Sequence, residues 1–264
     1  MEKSISIITV CYNAGFAIER TVRSVSEQTF LDYEHIIIDG SSNDGSLEFL
    51  KSSNLDKVKF QSEPDTGIYN AMNKGIFLAT GDLLIFLNAG DHFVSKDVLK
   101  IFLSRINTEQ ADLFFGRIVW NDSLSRQIIL SNHTSHKYHW DLLHSNFPHP
   151  ATLYKKELFS TVGLFNETYK ILGDFEWNVR ALIKMRVKFQ VLDIIVSVFF
   201  ADGVSNNPLE KPNVNKEIAR IESTYFSHNP IVKWIELKND NGSMAIFFRK
   251  VVAKLWNQKL NRFY

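Results

Sequence analysis

The sequence predicts an α/β domain with a mostly parallel sheet and helices on both faces, and three observations carry that prediction. Short β-branched runs alternate with amphipathic segments of helical period through the first 100 residues, the rhythm of repeated strand–helix units. Leu83-Leu84-Ile85-Phe86-Leu87 is apolar at every position, as a strand buried on both faces requires. Each apolar run gives way to a polar, turn-forming loop.

Ile5, Ile7, Ile8 and Val10 form the first strand, which ends at the turn Tyr12-Asn13-Ala14-Gly15. Ile18, Val22 and Val25 recur at helical spacing with Arg20, Arg23 and Glu27 between them, so one helix face is apolar and the other solvated. His35-Ile36-Ile37-Ile38 is the second strand, residues 39–45 a turn-rich loop, 46–51 a short helix and Val58-Lys59-Phe60 a third strand. Asp65 or Thr66 can cap a helix over 67–78, which Gly81-Asp82 breaks before the strand at 83–87. Beyond Asp112 strands are expected at 113–119, 127–130 and 151–154, then a helix over 174–185 with Asp174 as its N-cap, then a strand over 187–200. Residues 1–100 and 101–205 are expected to frame one site within one domain. The composition shifts after Asn206-Asn207-Pro208, which marks 206–264 as a helical extension.

At 264 residues the chain suits one large domain with an appendage rather than an array of small modules. A net charge of +1 lacks the basic excess of phosphate-backbone binding, so nucleic acid is not an expected partner. Cys11 is the single cysteine, which excludes an intramolecular disulfide and fits a reducing compartment. No stretch reaches the roughly 20 apolar residues of a membrane span, and a cytoplasmic location is expected.

In open α/β sheets ligands bind beyond the carboxyl ends of the strands. The loops there are Tyr12-Asn13, 39–45, 63–67 and 88–91, and three of them carry aspartate: Asp39, Asp65 and Asp91. A dinucleotide site would need a Gly-x-Gly-x-x-Gly turn after the first strand, and the turn there holds only Gly15. No Walker-type Gly-Lys-Ser/Thr occurs either. Three acidic loops at one edge are unfavourable unless a cation or a donor-rich ligand compensates them. If a diphosphate binds, a divalent metal held by carboxylate is the remaining device.

Five segments, Ser6 to Asn13, Gln28-Thr29-Phe30, Ile37 to Gly45, Glu63 to Gly75 and Phe86 to Asp91, resemble in order and spacing the family 2 glycosyltransferases of the GT-A fold. The Gly67 to Gly75 stretch resembles members from bacterial colanic acid, capsule and O-antigen clusters. The resemblance implies that the backbone around Thr9 and Val10, with Tyr12 and Asp39, holds the base and ribose of a UDP- or GDP-sugar. Asp65 and Gly67 match the family's Asp-x-Gly turn beside the nucleotide, and Asn73 matches an asparagine on the following helix. Asp91 is the position implied to touch Mg²⁺ or Mn²⁺. Here the chain departs from the family pattern, because Gly90 stands where a further aspartate is usual. Asp174 in Leu172-Gly173-Asp174-Phe175-Glu176-Trp177 matches the general base, with Glu176 as the alternative, and His149, Glu176 and Trp177 are implied to line the acceptor side.

His133, His136, His139, His144 and His149 cluster without the carboxylate pairing of a zinc peptidase, so a zinc site is not expected. Residues 244–264 place Phe247, Phe248, Val251, Leu255 and Trp256 at helical spacing, interleave five Lys/Arg and contain no acidic residue. Such a helix suits peripheral contact with the inner face of an anionic membrane, or packing on the domain or on a homodimer partner. The resemblance therefore implies an inverting, metal-dependent transferase, hexosyl or N-acetylhexosaminyl, acting on a glycan or lipid-linked acceptor in bacterial surface polysaccharide synthesis. The rival readings are a sugar-phosphate nucleotidyltransferase and a non-catalytic sugar- or nucleotide-binding descendant of a transferase.

Overall fold

The structure is a computed structural model that describes residues 3–53, 57–122, 127–130, 147–200 and 208–226. The clustered histidines 133–144 and the basic tail 244–264 lie outside the described residues. The strands are β1 (Ile5–Cys11), β2 (Tyr33–Asp39), β3 (Val58–Ser62), β4 (Leu83–Phe86), β5 (His92–Phe93), β6 (Leu113–Asp122), β7 (Gln127–Leu130), β8 (Thr152–Lys155) and β9 (Phe189–Phe200). The helices are α1 (Ala17–Ser26), α2 (Ser46–Ser52), α3 (Ile68–Leu78), α4 (Val98–Arg105), α5 (Leu158–Thr161), α6 (Gly173–Val179) and α7 (Lys211–Phe226).

One sheet runs in the order β3-β2-β1-β4-β8-β6-β9-β5, with β7 paired to β6. The β3-β2-β1-β4 half is parallel, β8 lies antiparallel between β4 and β6, and β9 returns parallel to β6. Alternation along each strand divides the core. Ile8, Val10, Ile36, Ile38, Leu84 and Phe86 face the cluster that includes α3, α5 and α6, while Ile5, Ile7, Leu83 and Ile85 face the one that includes Val25 of α1 and Leu99 and Phe102 of α4. That is why β1 is buried at every position and β4 reads as a continuous apolar run.

Two expectations are corrected here. Gly67, not Asp65 or Thr66, is the N-cap of α3, and the Asp65 carboxylate instead accepts the Gly67 N–H at 2.9 Å. Leu172, not Asp174, is the N-cap of α6, so Asp174 lies inside the first turn, and the helix continues as a π-turn over Arg180–Lys184. Helix α7, within the expected helical extension, packs on the domain: Ile221 is buried in the cluster around Trp177 and Phe159. Among the described residues no helix is long and apolar enough to cross a membrane.

Candidate functional site

Because β1, β2 and β3 are parallel with Cys11, Asp39 and Ser62 in register, the loops that follow them leave at one edge. They are stitched together. Asn13 N–H donates to Ser42 Oγ at 2.8 Å, Asn43 N–H to Asn13 Oδ1 at 3.0 Å, and Gly15 N–H to Asp44 Oδ2 at 2.7 Å. Gly40 is the point of closest approach. A Cβ there would lie 2.6 Å from Asp65 Oδ2 and 3.1 Å from Tyr12 Cδ2, so the absence of a side chain lets Tyr12 and Asp65 converge. Tyr12 is 67% exposed and presents its ring to solvent at this edge.

Asp39, expected to face a base or ribose, is fully buried and already receives Ser42 Oγ at 2.5 Å, Ser42 N–H at 3.1 Å and Ser62 Oγ at 2.7 Å. It anchors the loop, while Tyr12 and Asp65 form the wall beside it. Thr9 likewise turns inward, donating to the Leu87 carbonyl at 2.8 Å and meeting His35 Nε2 at 2.8 Å, and the Val10 carbonyl accepts the Ala89 N–H. Asn73 uses both amide hydrogens on Phe165 O and Glu167 Oε1 and accepts the Phe165 N–H, so it tethers a distant loop.

Asp91 sits where β4 ends. Its N–H returns to Asn88 O, and its carbonyl accepts Thr21 Oγ1 at 2.7 Å. The carboxylate is buried, and Oδ1 accepts the Phe200 N–H at 3.2 Å. Burial pushes the carboxyl up to about 7, against the opposing pull of His149, the Phe200 N–H and Arg20. Gly90, the departure from the family pattern, has φ +106°, where a side chain would be strained, and its carbonyl accepts from Arg20 Nε and Nη2. Among the described residues no three His, Cys, Asp or Glu side chains form a metal-binding group. A buried carboxylate with so little compensation fits one position of a cation shell completed by a ligand's own oxygens.

His149 and Asp174 meet beside this turn. Asn88 Nδ2 lies 2.8 Å from His149 Nε2, and His149 Nδ1 lies 3.3 Å from Asp174 Oδ2. An amide nitrogen only donates, so Nε2 is the acceptor, and the proton of a neutral His149 sits on Nδ1, facing the carboxylate. Asp174 Oδ1 accepts the Tyr69 hydroxyl at 3.1 Å and the Phe175 N–H at 2.8 Å. The Asn88 Oδ1 atom is buried without a partner.

Glu176 and Trp177 do not line the crevice. Glu176 is 1% exposed, bonded to Arg180 Nε at 3.1 Å and to the Tyr225 hydroxyl; Trp177 is fully buried against Tyr154 and Phe159, with Nε1 on the Gly163 carbonyl. Their positions along α6 turn them into the core, whereas Asp174, also buried, turns toward His149 and Tyr69. Sequence reasoning missed Asn88 and Tyr69 as site residues. Asn88 follows the most apolar strand and could have been singled out; Tyr69 reads as a core aromatic, and nothing local marks its hydroxyl.

The model of Glycosyl transferase family 2 matches residues 6–164, a segment that includes Tyr12, Asp39, Asp65, Asp91 and His149 and stops before Asp174. A PGL/p-HBAD biosynthesis glycosyltransferase of Mycobacterium bovis (strain BCG / Pasteur 1173P2) is 28% identical over 219 residues, covering 78% of this chain and 80% of that protein. Among solved structures, S. aureus TarS 1-349 in complex with UDP-GlcNAc superposes with a TM-score of 0.66 at 19% identity, covering 87% of this chain and 70% of that one. The mannosyltransferase PcManGT from Pyrobaculum calidifontis, in complex with GDP-Man and Mn²⁺, gives 0.60 at 14% identity, covering 97% and 81%. The match over well more than half of the chain, on a mixed sheet whose acidic loops share one edge, assigns this GT-A-fold protein to glycosyl transferase family 2.

Proposed function

We propose that this glycosyltransferase moves a sugar from a nucleoside-diphosphate donor to a hydroxyl of a glycan or lipid-linked acceptor by direct, inverting displacement. The observation that carries the reading is the hydrogen-bonded chain Asn88–His149–Asp174, which joins a carboxylate on α6 to the strand end bearing Asp91. The base of the donor stacks on Tyr12, and Asp65, with the turn to Gly67, closes the wall beside Gly40. Asp174 takes the acceptor's proton as its oxygen bonds to the sugar's anomeric carbon and the bond to the nucleoside diphosphate breaks. The Nδ1–H of His149 and the Tyr69 hydroxyl hold the carboxylate in place for that transfer. Asp91 would hold Mg²⁺ or Mn²⁺, which when bound neutralises the departing diphosphate. The pathway we read for it is bacterial surface-polysaccharide assembly, with residues 1–205 as the catalytic domain; the mycobacterial relative is named for PGL/p-HBAD biosynthesis.

The test is thermal stabilisation of the wild-type chain and of Asp91→Ala by a panel of UDP-, GDP- and dTDP-sugars, with and without Mn²⁺. A ligand at about 100 times its Kd adds roughly 2.7 kcal/mol to apparent stability. The wild type should be stabilised by at least one donor, more strongly with Mn²⁺, and Asp91→Ala should lose the Mn²⁺-dependent part. Stabilisation that ignores both the metal and the substitution would remove Asp91 from the proposed role.

A further inference from the structure

Helix α7 supplies nothing that the reaction above requires, yet its polar side chains are directed at the segment leading into Asp174. Glu217 Oε1 accepts the Lys170 N–H at 2.6 Å, and Oε2 accepts the Ile171 N–H at 3.2 Å and the Leu172 N–H at 2.8 Å. Three consecutive backbone donors, immediately before a helix whose own N-cap side chain makes no bond, converge on one carboxylate. Hydrogen bonds to a charged acceptor are roughly twice as strong as neutral ones, so this contact does for the loop what a local cap would do elsewhere.

The same segment is gripped from the other side. The single hydroxyl proton of Tyr69 is shared between Ile171 O at 2.7 Å and Asp174 Oδ1 at 3.1 Å, and Lys170 Nζ donates to Thr66 O at 2.9 Å. The anchors of α7 land on residues nearby: Arg220 stacks 4.4 Å over the Tyr169 ring, the Tyr225 hydroxyl bonds Glu176, and Ile221 enters the core.

We infer that Glu217 is a positioning residue for the transfer step. It fixes the backbone of 170–172 so that Asp174 Oδ2 stays beside His149, which makes α7 a working part of the site. The inference rests on the reading of Asp174 as the base. Removing the Glu217 charge slows chemistry without weakening donor binding, because Tyr12 and Asp65 sit on loops bonded within and to one another, and Lys170 reaches Thr66 O through its flexible side chain rather than through the backbone that Glu217 holds.

The experiment uses the full chain as wild type, Glu217→Gln, Asp174→Asn and the double variant, with Lys216→Ala as an exposed control on the same helix. The probe is the nucleotide sugar, from the UDP-, GDP- and dTDP-sugar panel with Mn²⁺, that the wild type hydrolyses fastest, and the corresponding nucleoside diphosphate gives Kd. Glu217→Gln should lower kcat by about tenfold or more, as a displaced catalytic group does, with Kd within about twofold. The double variant should be no slower than Asp174→Asn alone, since residues acting through one another are not additive. A Glu217→Gln kcat within about twofold of wild type, a parallel loss of Kd, or a double variant slowed multiplicatively would each overturn the inference. Wild-type kcat in Asp174→Asn would instead sink the base assignment, and this inference with it. Should Glu217→Gln fail to fold, Glu217→Asp, one methylene shorter, carries the same comparison.

Discussion

The two groups of candidate site residues, around Tyr12 and Asp65 and around Asp174, are held together in different ways. On the Tyr12–Asp65 side, acidic groups find donors in their own turns or in the adjoining loop or strand: Asp39 from Ser42 and Ser62, Asp44 from Ser46 and Gly15, Asp65 from Gly67. On the Asp174 side the contacts span the chain, with sequence separations of 61 for Asn88 to His149, 92 for Asn73 to Phe165 and 105 for Tyr69 to Asp174. A self-capped turn keeps its shape with little help. The constellation around Asp174 exists only when the whole domain is assembled. Substitutions on the first side should therefore act on ligand affinity, and those on the second on turnover.

Asp174→Asn gives the largest expected effect. Loss of a positioned base costs typically 10²–10⁴-fold in rate, and the affinity for the nucleoside diphosphate should stay unchanged. A steady-state assay paired with calorimetric titration checks both, and a parallel fall in affinity would erase the distinction between the two sides.

Next in size is a pH effect beneath the Tyr12–Asp65 side. His35 is fully buried under Thr9, and burial holds its imidazole neutral, lowering its pKa to about 3 from an ordinary 6.5. The folded value lies below the unfolded one, so this contribution is fully present above pH 6.5 and is lost as pH falls toward 3. Over that window it amounts to at most a few kcal/mol. Urea denaturation at a series of pH values should show the slope, and His35→Gln, which retains a donor for Thr9, should flatten it.

Gly40→Ala should weaken nucleoside-diphosphate binding by about tenfold, an overpacking effect of roughly 1–3 kcal/mol, because the methyl would crowd Asp65 and Tyr12. Turnover at saturating donor should hold. If turnover fell instead, the two sides would be coupled more tightly than their hydrogen bonds suggest.

The smallest effect sets the baseline. Arg23 pairs with Glu19 at 2.7 Å with both side chains well exposed, and Arg23→Ala should change stability by no more than about 0.5 kcal/mol and neither kinetic constant.

Much of the first side was legible from local pattern. Asp39 at the end of β2, and Asp65 and Asp91 in the loops after β3 and β4, mark strand ends and turns, and the parallel order brings those ends to one edge. The same pattern misled where a residue's type was right and its direction was not. Asp39 looked free to meet a ligand, but Ser62, from the neighbouring strand, closes over it. Glu176 and Trp177 lie within three residues of Asp174, yet the rotation of α6 carries both into the core.

By itself the sequence determined the alternating architecture, the edge to which the acidic loops lead, and the acidic and aromatic residues available there, because strand period, turn chemistry and helix spacing are local properties. Only the tertiary structure decided that His149 faces Asp174 with its proton on Nδ1, that Asn73 is a tether, and that Glu217 reaches back to the loop before α6. Those contacts join residues tens of positions apart, and their geometry is set by how helices pack across the sheet, which no local pattern encodes.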